Sequence, residues 1–286
     1  MKLGAITNGI SQDFETALKT MSADGIEYAE LQFIWDTEIC HHTGEQNAEM
    51  KALLEKYGIR VACIMKHVLN GLDVMTTEIE SDAYQQQLSL LKKSIELARY
   101  FGTNITRIQP FSKKNVVFGD GGAEKYLSGY SKSWSRFLKR LEPCCQIAED
   151  AGIDMMMETG TGSYIHTVAL AKKAIDELGC SRLKILWDPA NCLYSMEDPI
   201  RAYELAAEDI VDVHIKDIRV NKPLASITYC PLGYGEMAQY TQTIAELLKK
   251  NCYDGVVTFE NQVIPAGGSE LDGWKQSVAM FKEIFG

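Results

Sequence analysis

The chain has 286 residues, 46% of them hydrophobic and 24% charged, a globular balance that excludes a disordered chain, a collagen-like fibre and a coiled-coil rod. Asp and Glu outnumber Lys and Arg by 39 to 29, so the net charge of -10 disfavours nucleic acid and anionic lipid as partners. No apolar run reaches the ~18 residues of a membrane span. The opening MKLGAITNGISQDF turns polar too early for a signal-peptide core, and the eight cysteines show no CxxC spacing. A cytoplasmic protein with reduced thiols is expected.

In chain order, the apolar run Leu3–Ile6 predicts a first strand, and Ser11 an N-cap for a helix through Met21 closed by Asp24-Gly25. Strand-like runs follow at Tyr28–Phe33 and Arg60–Met65, separated by a helix over 46–57. Tyr84, Leu88, Leu91, Ile95, Ala98 and Phe101 recur at helical spacing, with polar residues on the other face. Next come a strand over 104–109, a glycine-bearing loop over 111–128 and a helix over 130–150. The second half predicts strands at 153–158, 183–188, 210–215 and 255–260. Helices over 165–178, 199–207, 237–250 and 271–285 alternate with them. Strands alternating with helices require a parallel sheet, and eight such units in a chain close to the ~250 residues of a typical barrel predict a single (β/α)8 TIM barrel over 1–286. The alternative, a doubly wound sheet, lacks its GxGxxG phosphate signal.

The C-terminal ends of barrel strands converge on the catalytic rim. Four successive strands end in Glu158, Asp188, His214 and Glu260. Oxygen and nitrogen donors without thiolate predict one divalent metal, Mn²⁺ first, with Mg²⁺, Co²⁺ and Zn²⁺ as alternatives. Further candidates have two readings each. Trp35 is a platform for a sugar face or ordinary packing, and His67 a substrate contact or a loop residue. Lys216 and Asp217 either orient the ligand His214 or form a surface ion pair. His166 reads as a helix-start residue, and Met155–Met157 as barrel core. Lys66, Arg107 and Arg219 are scattered candidates for a phosphate.

The pieces Met157-Glu158-Thr159, Trp187-Asp188-Pro189-Ala190-Asn191, Val213-His214-Ile215-Lys216-Asp217, Pro231-Leu232-Gly233-Tyr234-Gly235-Glu236 and Phe259-Glu260 resemble the sugar phosphate isomerase/epimerase family of xylose-isomerase-like barrels. The resemblance implies that Glu158, Asp188, His214 and Glu260 are metal ligands. It also implies a metal-dependent isomerase or epimerase of a small sugar, sugar phosphate or keto-polyol. The chain departs from ketohexose 3-epimerases at three positions. Asn191 stands for a His, Tyr164 for a second Glu, and Val220, beside Arg219, for an Arg. Asn191 retains the ability to hydrogen-bond a sugar hydroxyl. Endonuclease IV relatives need many His ligands, and five His with an acidic balance do not supply them.

The expected chemistry is proton transfer next to a carbonyl, with Glu158 and Glu260 as acid/base groups and Asn191, His67, Trp35, Lys216 and Arg219 as substrate contacts. One alternative is a lyase-type subunit cleaving oxidised (3-keto) O- or C-glycosides on the same site, with a small partner subunit. The other is a sugar-binding barrel without turnover. A homo-oligomer is equally compatible with the sequence. Loops 35–45, 66–80 and 111–128 are expected to roof the rim.

Overall fold

The alternating apolar runs become eight parallel strands in the structure, a computed structural model that describes residues 1–112, 133–160, 162–224 and 226–286. The strands are β1 (Lys2–Ile6), β2 (Tyr28–Leu31), β3 (Arg60–Val68), β4 (Ile105–Ile108), β5 (Asp154–Glu158), β6 (Leu183–Trp187), β7 (Ile210–Ile215) and β8 (Val256–Phe259). Their hydrogen-bonded order is β1-β8-β7-β6-β5-β4-β3-β2, closed on itself, which is the (β/α)8 barrel expected from the alternation. By internal contacts the chain forms two units, Met1–Cys63 with Asp212–Gly286, and Ile64–Val211.

In the first unit, β1 lies between β2 and β8, and β8 pairs with β7 in the register Thr258↔His214 and Phe259↔Ile215. β1 approaches β8 so closely that a Cβ on Gly4 would lie 2.6 Å from Val256 Cγ1. Helix α1 (Phe14–Asp24) begins one cap later than expected. Asp13, not Ser11, accepts from Thr16 N, and Ser11 Oγ accepts from Asp13 N at 3.1 Å. The carboxylate takes the orphan helix donors, and the shorter hydroxyl serves the turn before it. Helix α2 (Gly44–Tyr57) starts from a Thr43/Gln46 capping box. The Pro/Gly-rich stretch after β7 holds an antiparallel hairpin, Asp217–Asn221 with Ser226–Cys230, that the sequence pattern did not reveal. Helices α8 (Thr241–Lys250) and α9 (Glu270–Phe285) complete the unit.

In the second unit, β4, β5 and β6 pair in the register Ile108↔Met157↔Ile185. Met155, Met156 and Met157 are fully buried, as expected of core residues. Helix α3 (Asp82–Phe101) buries Tyr84, Leu91, Ile95 and Ala98 and stops at Gly102, whose φ of 81° a side chain would strain. The helices α4 (Ser133–Ala151), α5 (Val168–Leu178) and α7 (Pro199–Ala206) follow their strands. A six-residue helix, α6 (Pro189–Tyr194), was not expected from the pattern. It is too short to show a period, and its signal is the cap Asp188 followed by Pro189. Beyond Ser112, the expected loop 111–128 and its lid role lie outside the described residues. No helix among the described residues is long and apolar enough to cross a membrane.

Candidate functional site

In the first unit the site is built from β2, β7 and β8. Side chains two apart on a strand share a face, so Asp212 and His214 point the same way from β7. Both are buried, as are Glu30 on β2 and Thr258 on β8. His214 bridges two carboxylates. Its Nε2 lies 2.9 Å from Glu30 Oε2, and its Nδ1 lies 3.2 Å from Glu260 Oε2, just past the end of β8. Burial works against a charge on this imidazole. The two carboxylates outweigh it and raise the ring's proton affinity well above that of an ordinary histidine.

Lys216 Nζ donates to Glu260 Oε2 at 2.8 Å, and Gln262 Nε2 donates to Oε1 at 2.7 Å. Burial alone would raise the Glu260 carboxyl. The charges and hydrogen bonds of Lys216 and His214 reverse that and hold it well below the usual carboxylate range. Asp212 goes the opposite way. Burial, then the negative Glu30 beside it, pushes it well up, and its side chain hydrogen-bonds that of Glu30.

In the second unit, Glu158 ends β5 and Arg107 lies on β4. Arg107 Nη1 donates to Glu158 Oε2 at 2.6 Å, and Nη2 to the carbonyl of Met65 at 2.8 Å, both side chains being buried. Asp188 follows β6 and caps α6, its Oδ1 accepting from the backbone N–H of Ala190 at 2.9 Å and of Asn191 at 3.1 Å. The cap fixes the carboxylate against the strand end. Asn191 is itself buried and spends its Nδ2 on the carbonyl of Thr159 at 2.9 Å.

The other sequence-selected residues fall as follows. Lys216 touches Glu260. Asp217 accepts from the N–H groups of Gly233, Gly235 and Met237, each at 2.9 Å, and so anchors the loop after the hairpin. The partner of His214 Nε2 is Glu30, which sequence reasoning missed. Its signal was a charged residue inside the buried run Tyr28-Ala29-Glu30-Leu31. Arg219 is exposed and donates from Nε to the carbonyl of Tyr234 at 3.1 Å. Arg107, committed to Glu158, is not a free phosphate-binding group. His67 is half-buried on β3. Trp35 is half-buried, packed edge-on against Phe14 and His42 with ring centroids 6.1 Å apart in each pair. Trp35 and the next residue, Asp36, have φ of 52° and 58°, an uncommon conformation for such side chains. His166 is buried with Nδ1 3.2 Å from the carbonyl of Tyr164.

A closed barrel of eight parallel strands with helices between them defines the (β/α)8 class of α/β barrels. The chain belongs to the xylose isomerase-like TIM barrel family, whose sequence profile matches residues 16–284. It is 21% identical to an inosose dehydratase of Bacillus thuringiensis (strain Al Hakam) over 249 residues, 74% of this chain and 79% of the relative. It is 22% identical to an inosose dehydratase of Clostridium botulinum (strain Alaska E43 / Type E3) over 276 residues, 92% and 87% of the two chains. Among solved structures, the probable 3-DHS dehydratase of petrobactin synthesis from Bacillus anthracis superposes with a TM-score of 0.71 at 16% identity, covering 96% of this chain and 98% of the other. D-psicose 3-epimerase from Clostridium cellulolyticum H10 superposes with a TM-score of 0.68 at 17% identity, covering 96% and 90%. At these identities the superpositions establish the fold.

Proposed function

We propose that Glu158, Asp188, His214 and Glu260 hold a divalent cation. In this reading the chain removes a proton next to the carbonyl of a small polyhydroxy compound. The observation that carries the reading is the setting of His214. One ring nitrogen is fixed on Glu30 and the other is turned toward a second carboxylate, the arrangement of an imidazole ligand with an outer carboxylate partner. The donor set fits the ion. Glu158, Asp188 and His214 are buried and of ligand type, and with Glu260 they offer three carboxylates and one imidazole, suited to Mn²⁺, Mg²⁺, Co²⁺ or Zn²⁺.

When bound, such an ion supplies Lewis acidity to a carbonyl oxygen and its neighbouring hydroxyl. The chain's own residues do the proton work. Glu158 and Glu260 are the carboxylates that take and return a proton at carbon. Arg107, permanently charged, holds Glu158 through a buried 2.6 Å ion pair. Lys216, an ammonium 2.8 Å from Glu260, is a proton donor of the kind a departing hydroxyl needs. Asn191, His67, Trp35 and Arg219 are proposed as the remaining substrate contacts.

This asymmetry, a fixed cation beside one carboxylate and a proton donor beside the other, favours elimination of water over epimerisation. The inosose dehydratase relatives, named for loss of water from a keto-polyol, support the same choice. Three positions weigh against a ketohexose 3-epimerase. Asn191 is held by Thr159, Tyr164 donates its hydroxyl to Ser133 Oγ at 3.0 Å, and Val220 lies exposed on the hairpin. The isomerase or epimerase reading stays second, supported by the two carboxylates Glu158 and Glu260.

The test incubates the purified protein with cyclic and open keto-polyols, ketohexoses and 3-keto-glycosides, with Mn²⁺ and with chelator. Metal-dependent loss of water supports the leading reading. Epimer formation supports the second, and aglycone release supports the glycoside lyase. Tight binding with no conversion and no solvent deuterium in the sugar leaves a non-catalytic barrel. Full metal occupancy in Asp188→Ala removes the ligand assignment.

A further inference from the structure

Glu30 is buried in β2 and has no role in the proton chemistry above, yet its side-chain contacts gather around His214. Glu30 Oε2 lies 2.9 Å from His214 Nε2, and Glu30 Oε1 accepts from Thr258 Oγ1 at 2.6 Å. Asp212, on the same face of β7 as His214, hydrogen-bonds the same carboxylate. Thr258 sits opposite His214 in the β7/β8 register, so the hydroxyl that aims Glu30 is placed by the same pair of strands that places the imidazole. A carboxylate wholly removed from water and clamped by two neighbouring side chains has little freedom to turn, and its remaining lone pairs select one ring nitrogen.

We infer that Glu30 is the positioning residue of the metal centre, holding His214 through Nε2–H so that Nδ1 is the ligating nitrogen. This rests on the metal reading given above, and deepens it by naming the ligating atom and the group that selects it. Without Glu30 the ring is free to present either nitrogen or to rotate about χ2, and part of the binding energy goes into fixing it. Outer partners of this kind are worth about 10–100-fold in metal affinity.

The test uses the full-length protein with Co²⁺ and Mn²⁺ as probes. In the Co²⁺-loaded wild type, the proton NMR spectrum should contain one paramagnetically shifted, solvent-exchangeable N–H resonance from His214. Its exchange should be slow, because Nε2–H is buried on Glu30. Glu30→Gln should keep its secondary structure and cooperative melting, lose about 10–100-fold in Mn²⁺ affinity by calorimetry, and exchange or broaden that resonance. Thr258→Val, which leaves Glu30 in place but removes the hydroxyl aiming it, should show a smaller loss in the same direction. Unchanged Mn²⁺ affinity in a folded Glu30→Gln overturns the proposal. So does a Co²⁺-loaded wild type whose exchangeable His214 resonance shows an NOE to the Cε1 proton but not to the Cδ2 proton, because that N–H is Nδ1–H and the ligating atom is then Nε2. If Glu30→Gln does not fold, Thr258→Val decides, and wild-type affinity together with an unaltered resonance in that variant overturns it. A wild type that binds neither ion overturns the metal reading itself, and Glu30's role with it. Binding lost in Asp188→Ala but unaltered in Glu30→Gln overturns only the role of Glu30.

Discussion

Arg107 on β4 and Glu158 at the end of β5 meet through a 2.6 Å ion pair with both side chains buried. Breaking such a pair from one side leaves an uncompensated charge in a low-dielectric interior, which costs about 3–5 kcal/mol. Arg107→Ala should therefore lower the melting temperature far more than a surface Arg→Ala. Arg107→Ala with Glu158→Gln should recover part of the loss, because the stranded charge is gone. A chemical-denaturation cycle over the four proteins reads the coupling directly. A coupling indistinguishable from zero would mean that the carboxylate finds another partner.

A second anchor is Asp217, which gathers the N–H groups of Gly233, Gly235 and Met237. Hydrogen bonds to a charged acceptor contribute about 1.5–3 kcal/mol each at most, so Asp217→Ala should destabilise by several kcal/mol and release the 231–237 loop to proteolysis. Gly235→Ala should loosen the same loop. Its Cβ would fall 2.2 Å from the carbonyl oxygen of Ile218 and 2.4 Å from Asp217 Oδ1, and the first of these is backbone that cannot rotate away. Limited proteolysis at wild-type rates in both variants would show that the loop is held by other contacts.

The barrel was legible because its signal is repetitive. Each strand-and-helix unit announces itself twice, by an apolar run and by a 3.6-residue stripe. The placing of Glu158, Asp188, His214 and Glu260 at or beside strand ends was legible for the same reason, since a strand end is a position that pattern alone can locate. What stayed hidden were pairings between distant strands. Glu30 looked like one charge in an apolar run, and nothing local says that its carboxylate meets an imidazole 184 residues away. Arg107 looked like a free cation until β4 and β5 were laid side by side in the register Arg107↔Met156. Helix α6 and the 217–230 hairpin are short, and short elements depend on caps and tertiary contacts more than on periodicity.

The imidazole of His214 makes the metal-free protein pH-sensitive in a defined direction. Its folded proton affinity is raised well above the ordinary value of 6.5. The stability it contributes is then complete below about pH 6.5. That contribution is lost as pH rises through the raised value. With chelator present, the melting temperature of the wild type should fall as pH increases above neutral, and His214→Gln should flatten that slope. Mn²⁺ binding should run the other way. The ion competes with the proton for the same nitrogen, so affinity rises with pH. A chelated wild type whose melting temperature shows the same slope as His214→Gln would place the charge elsewhere.

The proton chemistry itself separates Glu158 from Glu260. Substituting Gln keeps an oxygen donor and nearly the same volume but removes the basic carboxylate. Each single variant should bind Mn²⁺ more weakly yet measurably, and lose ~10²-fold or more in kcat, the usual scale for general acid–base work. Solvent deuterium should enter the carbon next to the carbonyl in the wild type, because a carboxylate that takes a proton returns one drawn from water. The two variants need not behave alike. Glu158 is backed by the permanent charge of Arg107, whereas Glu260 shares its Oε2 with the ammonium of Lys216. If Glu158 takes the proton and Lys216 serves the leaving oxygen, Glu158→Gln should abolish exchange. Glu260→Gln should then slow water loss more than exchange, with Lys216→Met following Glu260→Gln. Exchange at the wild-type rate in Glu158→Gln would reduce that residue to a ligand and shift the base to Glu260. Turnover in the wild type with no solvent exchange at all would point to a shielded proton or a hydride shift, and the two-carboxylate scheme would fail.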